Sequence, residues 1–424
     1  MQFRGLAALL KARHYPPIAV SLLFTGMGDA ISGPYFALFA ADKAGLSPLA
    51  LGSLLTLRAA MSIVIAFLFG RWFDSRPSTR PLFIALGAGT AAYIVMSFTT
   101  SYTALLLIAG LLLSTSASGF PQLFSLAKGH LDDSDPVTAE RGVSFLRALW
   151  SAAWAMGPAV GSAVIVPFDF PGVFVTTALF YVIGGALIAA NRIRATGRIE
   201  RKPVPAAERA ASLRAAGFAA LALTLFHMAM LMGAVALSIS VIHDMGGSKQ
   251  DIGHAYSLCA FLEVFVMMGF VVRPVNPASR FWLTIGFAAF ALYGAMIAIV
   301  PTVPMVLAAQ VVRAVSIGIV GCLGIGYAQS VLRGRVGTAA ALFANSVNAG
   351  LLLSGLATGV WARAFGYESM FGACAGLGAL GLLVLQFQPR LPAPESKPET
   401  GPEAGTETRP EISPEISPEI SHGS

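Results

Sequence analysis

The sequence predicts an all-α membrane protein with about twelve transmembrane helices in two six-helix bundles. Three observations predict this fold class: the composition, a series of long apolar runs, and the placement of basic residues between them. Of the 424 residues, 56% are hydrophobic and 12% are charged, whereas soluble domains carry roughly 25% charged residues. So few charges cannot cover a water-facing surface of this size, and the bilayer must act as solvent for much of the chain.

Twelve apolar runs approach the length of about 20 residues that crosses the hydrocarbon core. They are predicted to be helices, because the alternating pattern of a membrane barrel is absent. The first run lacks a small-residue cleavage site, so we interpret it as a membrane helix and not as a signal peptide. The runs lie at 17–40, 50–71, 81–98, 103–127, 141–166 and 171–191, and at 215–242, 251–272, 281–300, 304–330, 336–363 and 367–387.

The apolar runs fall into two sets, which predict an N-terminal bundle over 1–191 and a C-terminal bundle over 215–388. Between them, residues 192–214 are rich in arginine and are interpreted as a cytoplasmic linker. Residues 389–424 are rich in Pro, Glu, Ser and Thr and end in three copies of Pro-Glu-Ile-Ser. With no apolar face to bury, this tail is predicted to be disordered and cytoplasmic.

Basic residues predict the orientation in the membrane. They are concentrated in the loops that lie on the same side of the membrane as the N-terminus. The loops on the other side of the membrane hold only Lys43, Lys249 and Arg363. Positively charged loops stay in the cytoplasm, so both termini are predicted to be cytoplasmic. That orientation requires an even number of helices, which agrees with the count of twelve.

The composition and motifs also exclude several classes of function. The net charge of +7 does not indicate nucleic-acid binding, because the basic residues lie in short loops and form no continuous face. No phosphate-binding loop, metal motif or nucleophile-and-base group is found. We therefore expect neither an enzyme nor a bound cofactor or metal.

The loop after the second run, Gly70-Arg-Trp-Phe-Asp74-Ser-Arg76, resembles the signature loop of the major facilitator superfamily. The resemblance implies that Gly70, Asp74 and Arg76 belong to a cytoplasmic gate. It also implies two parallel six-helix repeats with the substrate site between them.

Further motifs are similar to the sugar efflux transporter family, over most of 17–388. The resemblance implies export of sugars or sugar-like molecules across the cell inner (cytoplasmic) membrane by alternating access, driven by proton antiport. Departures at Ser32, Arg58, Leu149 and Arg313 indicate that the substrate differs from the family's usual sugars. The motifs are Pro121-Gln122-Leu-Phe-Ser-Leu-Ala-Lys128, Arg147-Ala with Trp154 and Gly157-Pro158, Gly318-Ile-Val, Gln329, Gly334-Arg335 and Leu342-Phe343-Ala-Asn345-Ser346.

Charged residues within membrane depth are candidates for proton coupling or gating, because each is costly to bury in lipid. Asp29 and Arg58 lie at similar depth on sequential helices, which predicts an ion pair, either functional or only structural. In the superfamily the fifth and eighth helices face each other. Arg147 and Glu263 are therefore predicted to form a bridge between the halves, either one that opens during transport or a static one.

Two further ionisable residues have more than one interpretation. Arg313 has no evident acidic partner at its depth, so its guanidinium either binds substrate hydroxyls or an anionic group, or binds backbone carbonyls of its own bundle. His227 is either a proton relay or a hydrogen-bonding packing residue.

Neutral polar residues suit a hydroxyl-rich substrate, since amides both donate and accept hydrogen bonds. Trp154 could present a ring face to a sugar, although packing against lipid also explains it. The predicted substrate-binding residues are Gln122, Arg313, Gln329, Asn345, Ser346 and Trp154.

Two other functions are compatible with the same fold. Many Met and Phe side chains could line a permissive cavity, which would suit export of an amphiphilic drug or metabolite. A membrane sensor or scaffold that transports nothing would use the acidic tail as its binding arm. For the transporter we expect a small-molecule substrate, protons and the lipid bilayer as partners, and a monomer.

Overall fold

The computed structural model describes residues 14–75, 78–131, 136–195, 209–273, 275–276, 279–332 and 336–389. In this part of the chain twelve successive helices, with no β-strand, overlap the twelve predicted runs one by one, which confirms the predicted fold class. Helices α1–α6 are Tyr15–Leu38, Pro48–Ser75, Arg80–Met96, Tyr102–Gly129, 136–168 and 170–190. Helices α7–α12 are Arg209–His243, Lys249–Val272, Arg280–Ile299, Val303–Val331, Val336–Phe365 and Met370–Gln386.

Membrane-spanning length is evident in most of these helices. Within the described ranges, seven helical stretches are long and apolar enough to cross a membrane, and one of them, Phe145–Ala190, contains most of α5 and all of α6. Helices α3 and α12 are apolar but have only 17 residues each. One π-helical segment, Phe39–Lys43, follows α1 directly, and a second, Ile108–Leu113, lies within α4.

The turn between α5 and α6 consists of a single residue with an unusual backbone. Asp169 has φ 51° and ψ −159°, a region that is nearly exclusive to glycine and costs other residues on the order of 1–3 kcal/mol. Pro167 and Pro171 flank it. A proline suits the first turn of a helix, so Pro171 helps α6 to begin directly after this turn.

Some helix boundaries differ from the predicted ones. Helix α7 begins at Arg209, six residues before the predicted run and inside the segment interpreted as linker. The segment Arg209-Ala-Ala-Ser-Leu-Arg214 is rich in good helix formers, and apolar-run counting ignores helix that continues beyond the hydrocarbon. The rest of the linker, 196–208, and the tail, 390–424, lie outside the described residues, so the predicted domain boundaries stay predictions.

Helices α1–α6 pack mainly against one another, and so do α7–α12. The two halves meet chiefly where α2 contacts α11 and where α5 contacts α8, with a smaller contact between α1 and α7. Two six-helix bundles with these contacts agree with the predicted architecture. Large apolar side chains remain exposed on many helices, as expected of surfaces that face lipid.

The contacts between the halves are concentrated at one end of the molecule, which we call the sealed end. It carries the turns at 44–47, 97–101, 169, 244–248, 300–302 and 366–369. A Cβ atom added to Gly52 of α2 would lie 2.7 Å from the Cα of Gly359 in α11, and one added to Gly253 of α8 would lie 2.4 Å from the Cβ of Ser162 in α5. At these crossings the helices approach to backbone contact, which small residues permit.

Every inter-half hydrogen bond and ion pair found among the described residues also lies at the sealed end. A small apolar core of Ala37, Ala40, Leu51 and Ile239 joins α1, α2 and α7 there. At the opposite end Arg147 of α5, Cys322 of α10 and Asn345 of α11 are exposed. Among the described residues, the polar contacts that close the molecule between its halves therefore lie at one end.

Candidate functional site

In the N-terminal half, Asp29 of α1 is held by a chain of hydroxyl groups. The Tyr181 hydroxyl of α6 donates to Oδ1 of Asp29 at 2.6 Å, and the Ser116 hydroxyl of α4 donates to Tyr181 at 2.9 Å. Three helices thus contribute to one polar cluster inside the bundle. A carboxylate in such a site keeps one oxygen for a proton or another donor.

Arg58 of α2 lies near this cluster without a direct ion pair. Its guanidinium carbon is 5.5 Å from the centre of the Phe36 ring, and its charge acts electrostatically on Asp29 and Tyr93. Among the described salt bridges none joins Asp29 to Arg58. The structure brings the two residues into one region, and their ion pair stays a prediction.

In the C-terminal half, Arg313 of α10 is the centre of a second cluster and is only 5% exposed. Its guanidinium carbon lies 5.2 Å from the ring centre of Tyr256 in α8 and 5.6 Å from that of Tyr293 in α9. Its Nη1 donates to Oε1 of Gln310 at 3.2 Å. Two aromatic faces and an amide therefore stabilise a buried cation by cation–π contact and hydrogen bonding.

Glu263 of α8 is the acidic neighbour of this arginine. It is half-buried, lies seven residues and so about two turns after Tyr256 on the same helix face, and interacts electrostatically with Arg313. No ion pair of Arg313 is found among the described residues, so the expectation that it has no acidic partner at its depth stays a prediction.

Arg147 does not contact Glu263 in this conformation. It is exposed on α5, its charge reaches Cys322 of α10, and no ion pair with Glu263 is found in the described part of the chain. The predicted bridge between Arg147 and Glu263 stays a prediction.

The predicted substrate-binding residues occupy different environments. Gln122 and Ser346 are buried, Gln329 and Trp154 are half-buried, and Asn345 is exposed. The Ser346 hydroxyl donates to the carbonyl of Leu342 at 2.9 Å, so its own helix already uses it. The Trp154 ring lies against Gly33 of α1, where an added Cβ would be 3.3 Å from the ring.

Two other predictions can be placed in the structure. His227 is buried, its Nδ1 lies 2.7 Å from the carbonyl oxygen of Leu223, and its ring centre is 5.7 Å from that of Phe343, which favours the packing interpretation. Gly70 has open space beside it. Arg76 and the side chain of Asp74 lie outside the described residues.

Sequence reasoning missed the tyrosines of both clusters. Tyr93 and Tyr293 each lie thirteen residues after the arginine that begins their helix, Arg80 in α3 and Arg280 in α9. Tyr93 lies within electrostatic reach of Arg58, and Tyr293 lies within electrostatic reach of Arg313. This repeat was readable from the sequence.

Sequence reasoning also missed an ionic cluster at the sealed end. Asp169 forms ion pairs with Lys43 and Lys249, and Nε2 of His243 lies 3.0 Å from Oδ1 of Asp42. The lysines had served only as evidence of orientation. No local motif connects loops that are more than 70 residues apart.

Comparison with known proteins gives a consistent picture. Residues 18–348 match the family model of the Major Facilitator Superfamily. The chain is 33% identical over 384 residues to a Deinococcus radiodurans protein provisionally named a sugar efflux transporter, which covers 89% of this chain and 99% of that protein. It is 24% identical to Sugar efflux transporter C of Escherichia coli, over 86% of this chain and 93% of that one.

Solved structures share the fold at low sequence identity. A nucleoside transporter superposes with a TM-score of 0.71 at 12% identity, covering 89% of this chain and all of the other. An auto-inhibited peptide transporter of the POT family also gives 0.71 at 12% identity, covering 91% and 98% of the two chains. At this identity the likeness concerns the fold alone.

Proposed function

Because the chain belongs to the major facilitator superfamily and has sugar efflux transporters among its relatives, we propose that it exports sugars or sugar-like molecules in exchange for protons. Membership shows a multi-pass membrane transporter and not an enzyme. The substrate class and the direction are inferred from the names of the relatives. The observation that supports the mechanism is Arg313, buried against Tyr256, Tyr293 and Gln310, with Glu263 within its electrostatic reach.

The proposed exchange takes place at the carboxylate of Glu263. When ionised, this group neutralises Arg313 and accepts hydrogen bonds from sugar hydroxyls. A proton taken from water on the far side occupies the same oxygen, weakens the hold on the sugar and leaves Arg313 stabilised by Tyr256, Tyr293 and Gln310. Proton and substrate then bind alternately, as antiport requires.

The N-terminal half contributes a second site to this proposal. Asp29, like Glu263, places a carboxylate inside its bundle. Tyr181 donates a hydrogen bond to it, and Arg58 interacts with it electrostatically. We assign Asp29 and Arg58 to gating or coupling, and Gln122, Gln329, Asn345, Ser346 and Trp154 to substrate contact. Arg147 pairs with Glu263 when the halves approach at the opposite end.

The sidedness of the proposal follows from the basic loops. In this proposal the sealed end faces away from the cytoplasm, and both termini and the opposite end of the molecule face the cytoplasm. We place the transporter in the cell inner membrane as a monomer. Gly70, Asp74 and Arg76 form the cytoplasmic gate loop in this arrangement.

The test is uptake of labelled sugars into inverted membrane vesicles with an imposed pH gradient. Wild-type vesicles are expected to accumulate at least one sugar, and Glu263→Gln is expected to lower proton-driven uptake about 5- to 150-fold, the range of typical coupling free energies. Glu368→Gln is the matched control, since Glu368 is exposed at the sealed end.

Two results would contradict the proposal. Full proton-driven uptake by Glu263→Gln would remove the coupling role from this residue. Uptake of no sugar, with uptake of an amphiphilic compound instead, would support the drug or metabolite alternative.

A further inference from the structure

At the sealed end one carboxylate binds a lysine of each half. Oδ2 of Asp169 accepts a hydrogen bond from Lys43 at 3.2 Å, and Oδ1 accepts one from Lys249. Asp169 and Lys43 belong to the N-terminal half, whereas Lys249 is the first residue of α8 in the C-terminal half. The bond to Lys249 therefore connects the halves, and the bond to Lys43 does not.

Lys249 is bound by two further residues of the N-terminal half. Its ammonium nitrogen lies 4.4 Å from the ring centre of Phe170, and its backbone carbonyl accepts a hydrogen bond from the Tyr35 hydroxyl at 3.2 Å. A lysine in the first turn of a helix opposes the helix dipole. Asp251 already places one carboxylate in this first turn, and the Asp169 carboxylate adds a second one directly at the Lys249 ammonium.

The electrostatic balance at Asp169 favours its ionised form. Partial burial raises the pKa of Asp169, but hydrogen bonds and charges from Lys249 and Lys43 outweigh that effect, and the net pKa lies below its ordinary value. Its left-handed backbone, φ 51°, is unfavourable for aspartate. The ion pairs of the Asp169 side chain thus offset the unfavourable conformation of its backbone.

We propose that Asp169 is the gate residue of the sealed end, and that its bond to Lys249 breaks whenever that end opens. The pair between Asp42 and His243 joins the α1 and α7 ends beside it and acts as a second, weaker link. This inference rests on the alternating access of the proposed transporter. It does not depend on which substrate is carried or on proton coupling.

The experiment measures the width of the sealed end directly. Spin labels are placed at Thr100→Cys in the turn before α4 and Thr302→Cys in the turn before α10, both exposed at the sealed end. The exposed native thiol is removed by Cys322→Ser. Distances are recorded by double electron–electron resonance on the full chain in lipid nanodiscs.

Lys249→Gln is expected to raise the ratio of long to short distances about fivefold, the most that a partly exposed ion pair usually contributes. Lys43→Gln is the matched control, since it removes the other bond of the same carboxylate within one half, and it is expected to change this ratio less than twofold. Lys249→Arg, which keeps the charge and a donor, is expected to restore the wild-type distribution.

An unchanged distribution in Lys249→Gln would overturn the proposal, and so would an equal shift in Lys43→Gln. The distance measurement is independent of transport. A protein that exports no sugar but shows the expected shifts would refute the proposed function and leave the gate intact.

Discussion

Tyr256 and Tyr293 stack on the same arginine, but their hydroxyl groups differ. The Tyr256 hydroxyl donates to the carbonyl of Ala234 in α7 at 2.8 Å. The Tyr293 hydroxyl is buried and has no hydrogen-bond partner in the described structure. A buried hydroxyl without a partner costs free energy.

The two tyrosines therefore give a matched pair of variants. Tyr256→Phe is expected to destabilise the protein by about 1 kcal/mol, because it removes a made hydrogen bond. Tyr293→Phe is expected to leave stability unchanged or to raise it, because it removes an unsatisfied group. The apparent unfolding midpoint of the purified protein checks both, and a larger loss in Tyr293→Phe would contradict this account.

Glycines determine how closely the helices of the two halves approach. In α5, Gly157 and Gly161 face α1 of the same half, while the carbonyl of Pro158 and the side chain of Ser162 face Gly253 of α8. The Gly-Pro motif that the sequence analysis associated with exporters thus lies at both an intra-half and an inter-half contact. Larger side chains on these faces would separate the helices.

Gly359 of α11 gives the sharpest test of this packing. A Cβ there would lie 3.0 Å from both the Cα of Gly52 and the carbonyl oxygen of Pro48. Gly359→Val is therefore expected to disfavour the closed sealed end by about 1–3 kcal/mol, the usual cost of overpacking. That cost corresponds to a rise of roughly 5- to 150-fold in the open-to-closed ratio.

The measurement is the same spin-label distance across the sealed end. Gly376→Val is the control, since nothing lies within 4 Å of a Cβ at that position of α12. If both valine variants keep the wild-type distances, the glycine contacts do not limit closure.

The proposed alternating access requires at least two conformations of the whole molecule. The pH changes the ratio of these conformations through groups whose pKa differs between them. Asp169 binds fewer protons when its lysines surround it, because its pKa is then lowered. A lowered pKa adds stability above the ordinary value of about 3.9, and that stability is lost as the pH falls through the lowered pKa. The Asp169 contact is therefore charged throughout physiological pH.

This sign gives a testable pH dependence. In a His243→Gln background, which removes the nearby titratable histidine, the difference in closed fraction between the protein with Asp169 and its Asp169→Asn variant is expected to stay constant between about pH 8 and pH 5. Below about pH 4 it is expected to fall. Asp169→Asn in the same background supplies the reference. If the closed fraction changes near neutral pH in the protein with Asp169 but not in Asp169→Asn, then Asp169 titrates near neutral pH and this prediction is wrong.

Composition and the twelve apolar runs were sufficient to predict the fold class, because insertion in lipid depends on local length and hydropathy. Helix ends were predicted less well, as at Arg209, since helix continues into water beyond the apolar run. The resemblance to sugar efflux transporters was also readable, because it depends on short motifs along the chain.

The chain by itself thus determined a two-bundle membrane transporter and a short set of polar residues inside it. Only the tertiary structure decided which of those residues meet. It packed Tyr256 and Tyr293 against Arg313 with Glu263 in electrostatic reach, gave Asp29 a tyrosine hydroxyl, and joined Asp169 to lysines of both halves. Side-chain partners depend on helix rotation, tilt and long-range packing, and no local period or spacing in the sequence carries that information.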